Sequence, residues 1–329
     1  MKRRDFMALL GGAAVAPSVG ARAQSSRQLP RIGVLHSGRE GDRQPLQEVG
    51  ALRNGLEALG WKEGRDIEIN YRWPFGDPDR TREAARQLVD LSPAAIVSTG
   101  TFNLVALREA TKKVPVVFVN VADPVAGGFV TSLARPGGNI TGVTPFEYSI
   151  GGKWLQLLKE MSPNVERVAM LGEPDNPNFK GFLKSFDDYA RTISVDAIPL
   201  AVRNAQDVDA GIGSLAGKAN GGMIITAAAF SNVYRDQILS LANRYKLPAI
   251  SWNRAHVDRG GLMSYGPNIA DSHRQAAGFV DRILRGAKPE DLAVQAPVKI
   301  ELIVNGKTAK ALGLPIPLSI LSSADEVIE

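Results

Sequence analysis

The sequence predicts an α/β protein with two Rossmann-like lobes, each built on a parallel sheet. Apolar strand patterns and amphipathic helix patterns alternate along the chain with short loops between them, which is typical of parallel sheets. The chain has 329 residues, which is long for a single core. The alternation starts again from Tyr148 after one complete set of elements. We therefore expect two similar lobes in series, although no sequence repeat links them.

The first set of patterns describes one lobe. Gly60 closes the first helix as a C-terminal cap. The segment 67–73 alternates apolar and polar residues, as a half-exposed edge strand does. The predicted strands are 31–36, 67–73, a buried run through Ile96 and Val97, 116–120, and a short strand at the end of the glycine-rich segment 134–143. The predicted helices are 46–59, 80–91 and a helix from Asn103.

The second set repeats this layout. The predicted strands are 167–171, 195–200, 222–226, 248–251 and 261–265. The predicted helices are 152–161, 178–190, 206–219 and 232–245. The C-terminal part adds a helix at 270–285, an alternating edge strand at 298–304 and a short helix at 307–312, which could complete either lobe.

Chain crossings near Thr144, Tyr265 and Gln295 would join the lobes through a three-crossing hinge. We then expect a first lobe at 30–145 plus about 266–294, and a second lobe at 146–265 plus about 295–329.

The composition excludes several classes of protein. The chain is 44% hydrophobic and 22% charged, as expected for a globular protein. The net charge of +5 is spread along the chain without a basic block that would follow a nucleic acid, so no nucleic-acid partner is expected. The chain has no cysteine, which excludes disulfides, thiolate metal sites and a cysteine nucleophile.

The N-terminus has the pattern of an export signal. Residues 2–7 carry twin arginines, residues 8–19 form a short apolar run, and Ala21-Arg22-Ala23 supplies a cleavage site. We predict that residues 1–23 are a twin-arginine signal peptide, cleaved near Ala23, and that the mature protein is free in the periplasm. The alternative is an uncleaved cytoplasmic tail.

No catalytic or cofactor-binding motif stands out in the sequence. His36, His256 and His273 are scattered, so we expect surface or loop residues and no metal site. A Ser-His-Asp hydrolase would need a G-x-S-x-G elbow, which is missing. The G-x-G-x-x-A string at 211–216 lies inside a helix pattern and so fails as a dinucleotide fingerprint. We therefore predict a protein that is not an enzyme and uses no cofactor.

Polar and aromatic residues follow the predicted strands, where open α/β sheets bind ligands. In the stretch 94–108, the small residues Ser98 to Thr101 lie between a strand and a helix, so free backbone N–H groups could hold a carboxylate. The alternative is an ordinary helix cap. The candidate ligand-binding residues are Ser37, Ser98, Thr99, Gly100, Thr101, Asp123, Asn176, Phe230, Trp252 and Tyr265.

These side chains offer what an amino-acid-like zwitterion requires. The hydroxyls and the helix dipole suit a carboxylate, Asp123 supplies one acid for an ammonium, and the aromatic rings suit a side chain. Asp123 before Pro124 also fits a plain turn, and Trp252 and Tyr265 each also fit a packing role.

Several strings together resemble a known family. They are LEALGWKEG at 56–64, INYRW at 69–73, DP at 123–124, SLARPGGNITG at 132–142, GGLMSYGP at 260–267, KTAKALGLP at 307–315 and ADEVI at 324–328. The chain resembles the periplasmic substrate-binding proteins of ABC transporters, of the tryptophan/tyrosine-binding type. It departs from their pattern at Glu173, where an asparagine commonly stands.

The resemblance implies a type I periplasmic-binding-protein fold whose lobes close on a ligand. It places Ser37 and residues 98–101 on one side of the cleft, and Asn176 and the loop near Phe230 on the other. The expected partners are a small-molecule solute and an inner-membrane ABC permease, and we expect a monomer. A sensor module for a histidine kinase and an exported enzyme are the alternatives. A LacI-type repressor shares the layout, but the leader stands where its DNA-binding motif would be.

Overall fold

The structure is a computed structural model that describes residues 29–217, 220–296 and 299–329. The predicted signal peptide at 1–23 lies outside the described residues. Strands and helices alternate and form two sheets, one fully parallel and one mostly parallel, so the predicted α/β class is confirmed.

The first lobe is organised around a five-stranded parallel sheet with the order β2-β1-β3-β4-β5. Its strands are β1 (Arg31–Leu35), β2 (Glu68–Arg72), β3 (Ala95–Thr99), β4 (Val116–Val119) and β5 (Ile140–Val143). Its helices are α1 (Arg43–Ala58), α2 (Pro78–Asp90) and α3 (Thr101–Ala110). β3 is buried along its whole length, whereas β2 is half-exposed at the sheet edge, as its alternation predicts.

The second lobe is organised around a seven-stranded sheet with the order β12-β11-β10-β9-β8-β6-β7, in which only the β10–β11 pair is antiparallel. Its strands are β6 (Arg167–Gly172), β7 (Asp196–Ala201), β8 (Gly221–Ile225), β9 (Ala249–Ser251), β10 (Met263–Pro267), β11 (Ile300–Asn305) and β12 (Glu326–Ile328). The helices of this part of the chain are α4 (Ile150–Met161), α5 (Pro177–Thr192), α6 (Ala205–Gly213), α7 (Ala229–Val233), α8 (Arg235–Arg244), α9 (Arg254–Val257), α10 (Ile269–Leu284), α11 (Gly306–Ala311) and α12 (Leu318–Ser323).

The chain passes three times between the two sheets. It leaves β5 for α4, leaves β10 for α10, and returns after Gln295 to β11. α10 belongs with the first sheet, because it packs against α1, β3, β4 and β5. The first and third crossings lie side by side, since the Thr144 N–H donates to the Gln295 carbonyl at 2.9 Å. The predicted three-crossing hinge is confirmed.

Three predictions about single elements are wrong. β11 is not an edge strand, because β12 pairs with it on the outside. The predicted helix 232–245 is interrupted at Tyr234 and forms α7 and α8. The helix predicted at 206–219 is too long, because α6 ends at Gly213.

The core of the second lobe forms around Trp154 on α4, which is fully buried. Its ring lies 5.5 Å from that of Phe146 and 5.4 Å from that of Phe182. Its indole N–H donates to the carbonyl of Tyr265 at 2.8 Å. The residue therefore joins α4 and α5 to the hinge-proximal strand β10.

Among the helices of the described residues, none has both the length and the apolar character needed to cross a membrane.

Candidate functional site

A cavity lies between the two lobes, at the carboxyl ends of the strands of both sheets. The first lobe contributes the segments that follow β1 to β4, and the second lobe those that follow β6, β8 and β9. The lining residues are His36, Ser37, Gly38, Arg39, Asp42, Gln44, Pro45, Glu48, Phe75, Gly76, Thr81, Thr99 to Asn103, Asn120, Asn176, Ala227, Ala228, Asn232, Arg235 and Trp252. This is the position at which α/β sheets present ligand-binding groups.

Six of the ten candidate residues line this cavity. They are Ser37, Thr99, Gly100, Thr101, Asn176 and Trp252. The other four lie outside the lining. Ser98 is fully buried within β3, and Asp123 accepts a hydrogen bond from the Ala126 N–H in a turn. Phe230 is buried in an apolar cluster of the second lobe with Ile225 and Ile238. Tyr265 packs from β10 against the other cluster of this lobe, which contains Trp154.

The tip between β3 and α3 does not use its hydroxyls as helix caps. Gly100 is the N-cap, with a φ of +88° that favours glycine, and no side chain bonds to the first turn there. The first helical bond runs from the Leu104 N–H to the Gly100 carbonyl. The earlier N–H groups of α3 are therefore not used within the helix, and they face the cavity end of the element.

The Thr99 and Thr101 hydroxyls instead bond to other elements, whereas the buried Ser98 hydroxyl has no partner among the described residues. Thr101 Oγ1 accepts a hydrogen bond from the Asn178 amide of the second lobe at 2.7 Å. Asn178 is itself oriented by the Tyr148 hydroxyl, which donates to its Oδ1 at 2.9 Å. A second contact between the lobes joins Arg235 Nη1 to Gln44 Oε1 at 3.5 Å. The lobes are thus held together across the cavity by polar contacts.

Replacing Asn178 with alanine is expected to shift the lobes toward an open arrangement. One lost interlobe hydrogen bond corresponds to about 1 kcal/mol, which is roughly a fivefold change in an open–closed equilibrium. Small-angle scattering without added solute should show a larger radius of gyration. Lys180→Ala, an exposed change on the same helix, is the control. An unchanged radius in Asn178→Ala would show that the bond does not hold the lobes together.

Arg235, at the start of α8, is a site residue that the sequence analysis missed. Its side chain is only 13% exposed. Among the described residues, its Nε atom is buried without a hydrogen-bond partner. The nearest carboxylate oxygen, of Asp236, is 3.9 Å from Nε and belongs to a mostly exposed side chain. A buried guanidinium N–H without an acceptor is costly, and a carboxylate would satisfy it well.

The histidines are not surface residues, and this prediction is wrong. His36, His256 and His273 are all buried. His36 and His273 meet Glu48 of α1, and the donor atoms of these three residues lie within 4.8 Å of one another. Scattered positions in the sequence did not reveal this cluster, because β1, α1 and α10 meet only in the folded chain.

The hydrogen bonds of the cluster define its proton positions. The Gly38 N–H donates to His36 Nδ1 at 3.0 Å, so the proton of this ring is on Nε2, which donates to Glu48 at 2.8 Å. His36 therefore directs a donor and not a lone pair toward Glu48. As arranged here, His36 and Glu48 form a hydrogen-bonded pair beside the His273 ring, and His36 directs no free lone pair toward a metal between the three residues.

Glu173, which follows β6, is a carboxyl group in an unusual setting. Its Oε1 accepts a hydrogen bond from the Phe230 N–H at 3.1 Å, while Oε2 is buried without a partner among the described residues. Burial raises the pKa of Glu173 to about 7. The residue hydrogen-bonds the first turn of α7 and lies outside the cavity lining.

Glu173→Gln is expected to flatten the pH dependence of stability. A folded pKa of about 7 against 4.5 for the ordinary group means that stability is full below about pH 4.5 and is lost as the pH rises through 7. The variant should exceed the wild-type protein by roughly 3 kcal/mol at pH 8 and by little at pH 4.5. Denaturant unfolding across this range measures both. Asp209→Asn, which removes an exposed carboxylate from α6, should leave the profile unchanged. Parallel profiles for Glu173→Gln and wild type would contradict the shifted pKa.

Comparisons with known proteins identify the family and the fold. Residues 40–328 match the family described as ABC transporter substrate binding protein. A tyrosine-binding protein of Clostridioides difficile (strain R20291) is 28% identical over 260 residues, which are 79% of this chain and 74% of that protein.

Two solved structures share the fold over 91% of this chain and 100% of theirs, each with a TM-score of 0.84. One is an ABC domain of Streptococcus pneumonia in complex with L-Trp, at 25% identity. The other is a conserved domain protein of Vibrio cholerae, at 27% identity. These matches confirm the predicted type I periplasmic-binding-protein fold and cover nearly all the described residues. The chain belongs to the family of ABC transporter substrate-binding proteins.

Proposed function

We propose that this protein is the periplasmic solute-binding component of an ABC uptake transporter. It captures a small polar organic solute, amino-acid-like or a carboxylate, by closure of its two lobes, and it delivers this solute to an inner-membrane permease. It acts as a monomer, by binding and not by catalysis. The lobes are residues 30–145 with about 266–294, and 146–265 with about 295–329, and residues 1–23 serve as the export signal.

The observation that carries this proposal is a cavity built from both lobes with Arg235 buried in its wall. A guanidinium binds a carboxylate through two parallel hydrogen bonds, which fix both its position and its plane. Ser37 and the N-terminal N–H groups of α3 supply further donors from the opposite lobe. The named ligands of the relatives, tyrosine and L-Trp, are amino acids, which agrees with this donor set.

The cavity also supplies apolar walls. Phe75 and Phe102 line it from the first lobe and Trp252 from the second. The Trp252 indole N–H is occupied by Ser231 Oγ at 3.2 Å, so the ring offers mainly its apolar surface. Micromolar binding needs about −8 kcal/mol. A solute of about fifteen heavy atoms must then supply roughly half a kcal/mol per atom, which favours enclosure between two lobes.

Calorimetry and scattering together test this function. The mature protein is titrated with the twenty L-amino acids and a set of small carboxylates, and its radius of gyration is measured with and without each binder. We expect at least one member to bind with a micromolar or lower Kd and to make the protein more compact. Tight binding without compaction would refute lobe closure, and absence of binding across the panel would refute the solute class.

A further inference from the structure

We propose that Glu48 and Thr99 form a subsite for the ammonium group of the solute, and that His273 holds the Thr99 hydroxyl in the accepting direction. This inference rests on the proposed solute-binding function and narrows its solute class to compounds that carry a cationic amine beside the carboxylate. Glu48 and Thr99 both line the cavity from the first lobe and are 5% and 3% exposed.

The direction of the Thr99 hydroxyl follows from its neighbour on α10. His273 Nδ1 lies 2.9 Å from the carbonyl of Ile269, which can only accept, so Nδ1 carries a proton. In the neutral ring Nε2 is then an acceptor, and it lies 3.1 Å from Thr99 Oγ1. Burial lowers the pKa of His273, although Glu48 acts in the opposite direction and His36 adds to the lowering. The Thr99 hydroxyl therefore donates to His273 and keeps its lone pairs for the cavity.

Glu48 adds a negative charge to the same corner. Its Oε2 accepts from His36 at 2.8 Å and its Oε1 from the Gln44 amide at 2.7 Å. Burial acts to raise the pKa of Glu48, but the hydrogen bond from His36 and the other groups around it hold this pKa below its ordinary value. The Glu48 carboxylate therefore gives this corner of the cavity a negative charge. Each carboxylate oxygen has a second lone pair to offer an ammonium.

Gln44 links the two charged ends of the cavity. Its amide nitrogen faces Glu48, and its amide oxygen faces Arg235. An α-amino acid presents the same two polarities, with an ammonium for Glu48 and a carboxylate for Arg235. The sequence prediction gave the ammonium to Asp123 and the anionic end to residues 98–101. This assignment moves the ammonium to Glu48 and Thr99, and it adds Arg235 to the N-terminal N–H groups of α3 at the anionic end. Asp123 uses its carboxylate in a local turn and lies outside the lining.

The wild-type protein provides the first test. Kd is measured at pH 7.5 for L-amino acids and for the matching carboxylic acids that lack the amine, such as L-phenylalanine and 3-phenylpropanoate. We expect the Kd of each amino acid that binds to be at least about a hundredfold lower than that of its deaminated partner, because the analogue leaves the buried Glu48 carboxylate without a counter-charge. Equal or tighter binding of the deaminated acids would overturn the subsite and leave the solute-binding function standing. No binding by either set would refute the proposed solute class itself.

Variants test which residues produce the preference for amino acids over the deaminated acids. Glu48→Gln and Thr99→Val should each lower the amino-acid preference by about tenfold or more. Asp123→Asn is the matched control and should keep the wild-type preference. Melting temperatures check that each variant is folded. The ratio of the two Kd values in the wild-type protein tests the subsite even where a variant does not fold. A preference that disappears in Asp123→Asn and persists in Glu48→Gln would overturn the assignment.

His273 acts through Thr99, so its test has to distinguish the orientation of the Thr99 hydroxyl from a general contribution of His273 to folding. His273→Leu removes the acceptor and frees the Thr99 hydroxyl to donate, so the preference for the amine should fall about tenfold. The Kd of the deaminated acid should change by less than about twofold. His273→Gln, whose amide oxygen can accept from Thr99, should restore most of the preference. Equal losses for both ligands in both variants would show that His273 is only structural.

Discussion

Replacing Arg235 with alanine is expected to weaken the binding of carboxylate-bearing solutes by at least about a hundredfold. The guanidinium lies in the cavity wall, and its Nε has no hydrogen-bond partner among the described residues. A charged group of this kind lowers the stability of the solute-free protein, and the binding of an anion offsets this loss. The melting temperature of the variant should therefore stay the same or rise. Titration calorimetry and thermal unfolding measure the two effects.

Two further variants make this prediction specific. Arg235→Lys keeps the charge but loses the paired hydrogen bonds, so an intermediate loss of about tenfold is expected. Arg244→Ala removes an exposed arginine from the other end of the same helix and should leave the Kd unchanged. Wild-type affinity in Arg235→Ala would exclude this residue as the carboxylate anchor.

Trp154→Ala is expected to lower the free energy of unfolding by about 4 kcal/mol. The indole is fully buried and touches the rings of Phe146 and Phe182, so its removal leaves a large cavity in the second core. The change also deprives the Tyr265 carbonyl of its donor. Urea unfolding, followed by circular dichroism, gives the difference.

Trp154→Phe separates these two contributions. It keeps most of the ring volume and loses only the N–H donor, so a loss of about 1–2 kcal/mol is expected. Binding at 10 °C by the folded fraction of either variant should remain close to wild type, because Trp154 is outside the cavity lining. Similar losses for both variants would show that the hydrogen bond contributes more to stability than the packing of the ring.

Most strands and helices could be predicted from periodicity, and the exceptions have local causes. The apolar runs that begin β3 and make up all of β4 are buried on both faces, which the sequence pattern shows directly. β12 has three residues, so it is too short to produce a readable alternation. No glycine or proline marks the interruption at Tyr234, so the sequence pattern does not show where α7 ends and α8 begins.

The site was predicted in part, because one geometric rule found some of its residues. The rule that ligands bind beyond strand ends led to Ser37, Thr99 and Asn176, which line the cavity. The rule could not identify Glu48 and Arg235, because these two lining residues belong to helices and do not directly follow a strand. In sequence each resembles an ordinary polar residue on a helix surface.

The placement of α10 has a consequence for how the chain is made. α10 packs against α1 so closely that a Cβ on Gly55 would lie 2.8 Å from the Cβ of Ala277. One apolar face of the first sheet, which α1 and α10 cover together, therefore stays partly exposed until residues 269–284 have left the ribosome, long after β1 to β5 have been synthesised. Most of the second lobe, from α4 to β10, has to be translated in between, and the first lobe is completed late despite its N-terminal position. Chaperones that bind exposed apolar chain should accordingly associate with nascent chains that end before α10 and leave when it emerges.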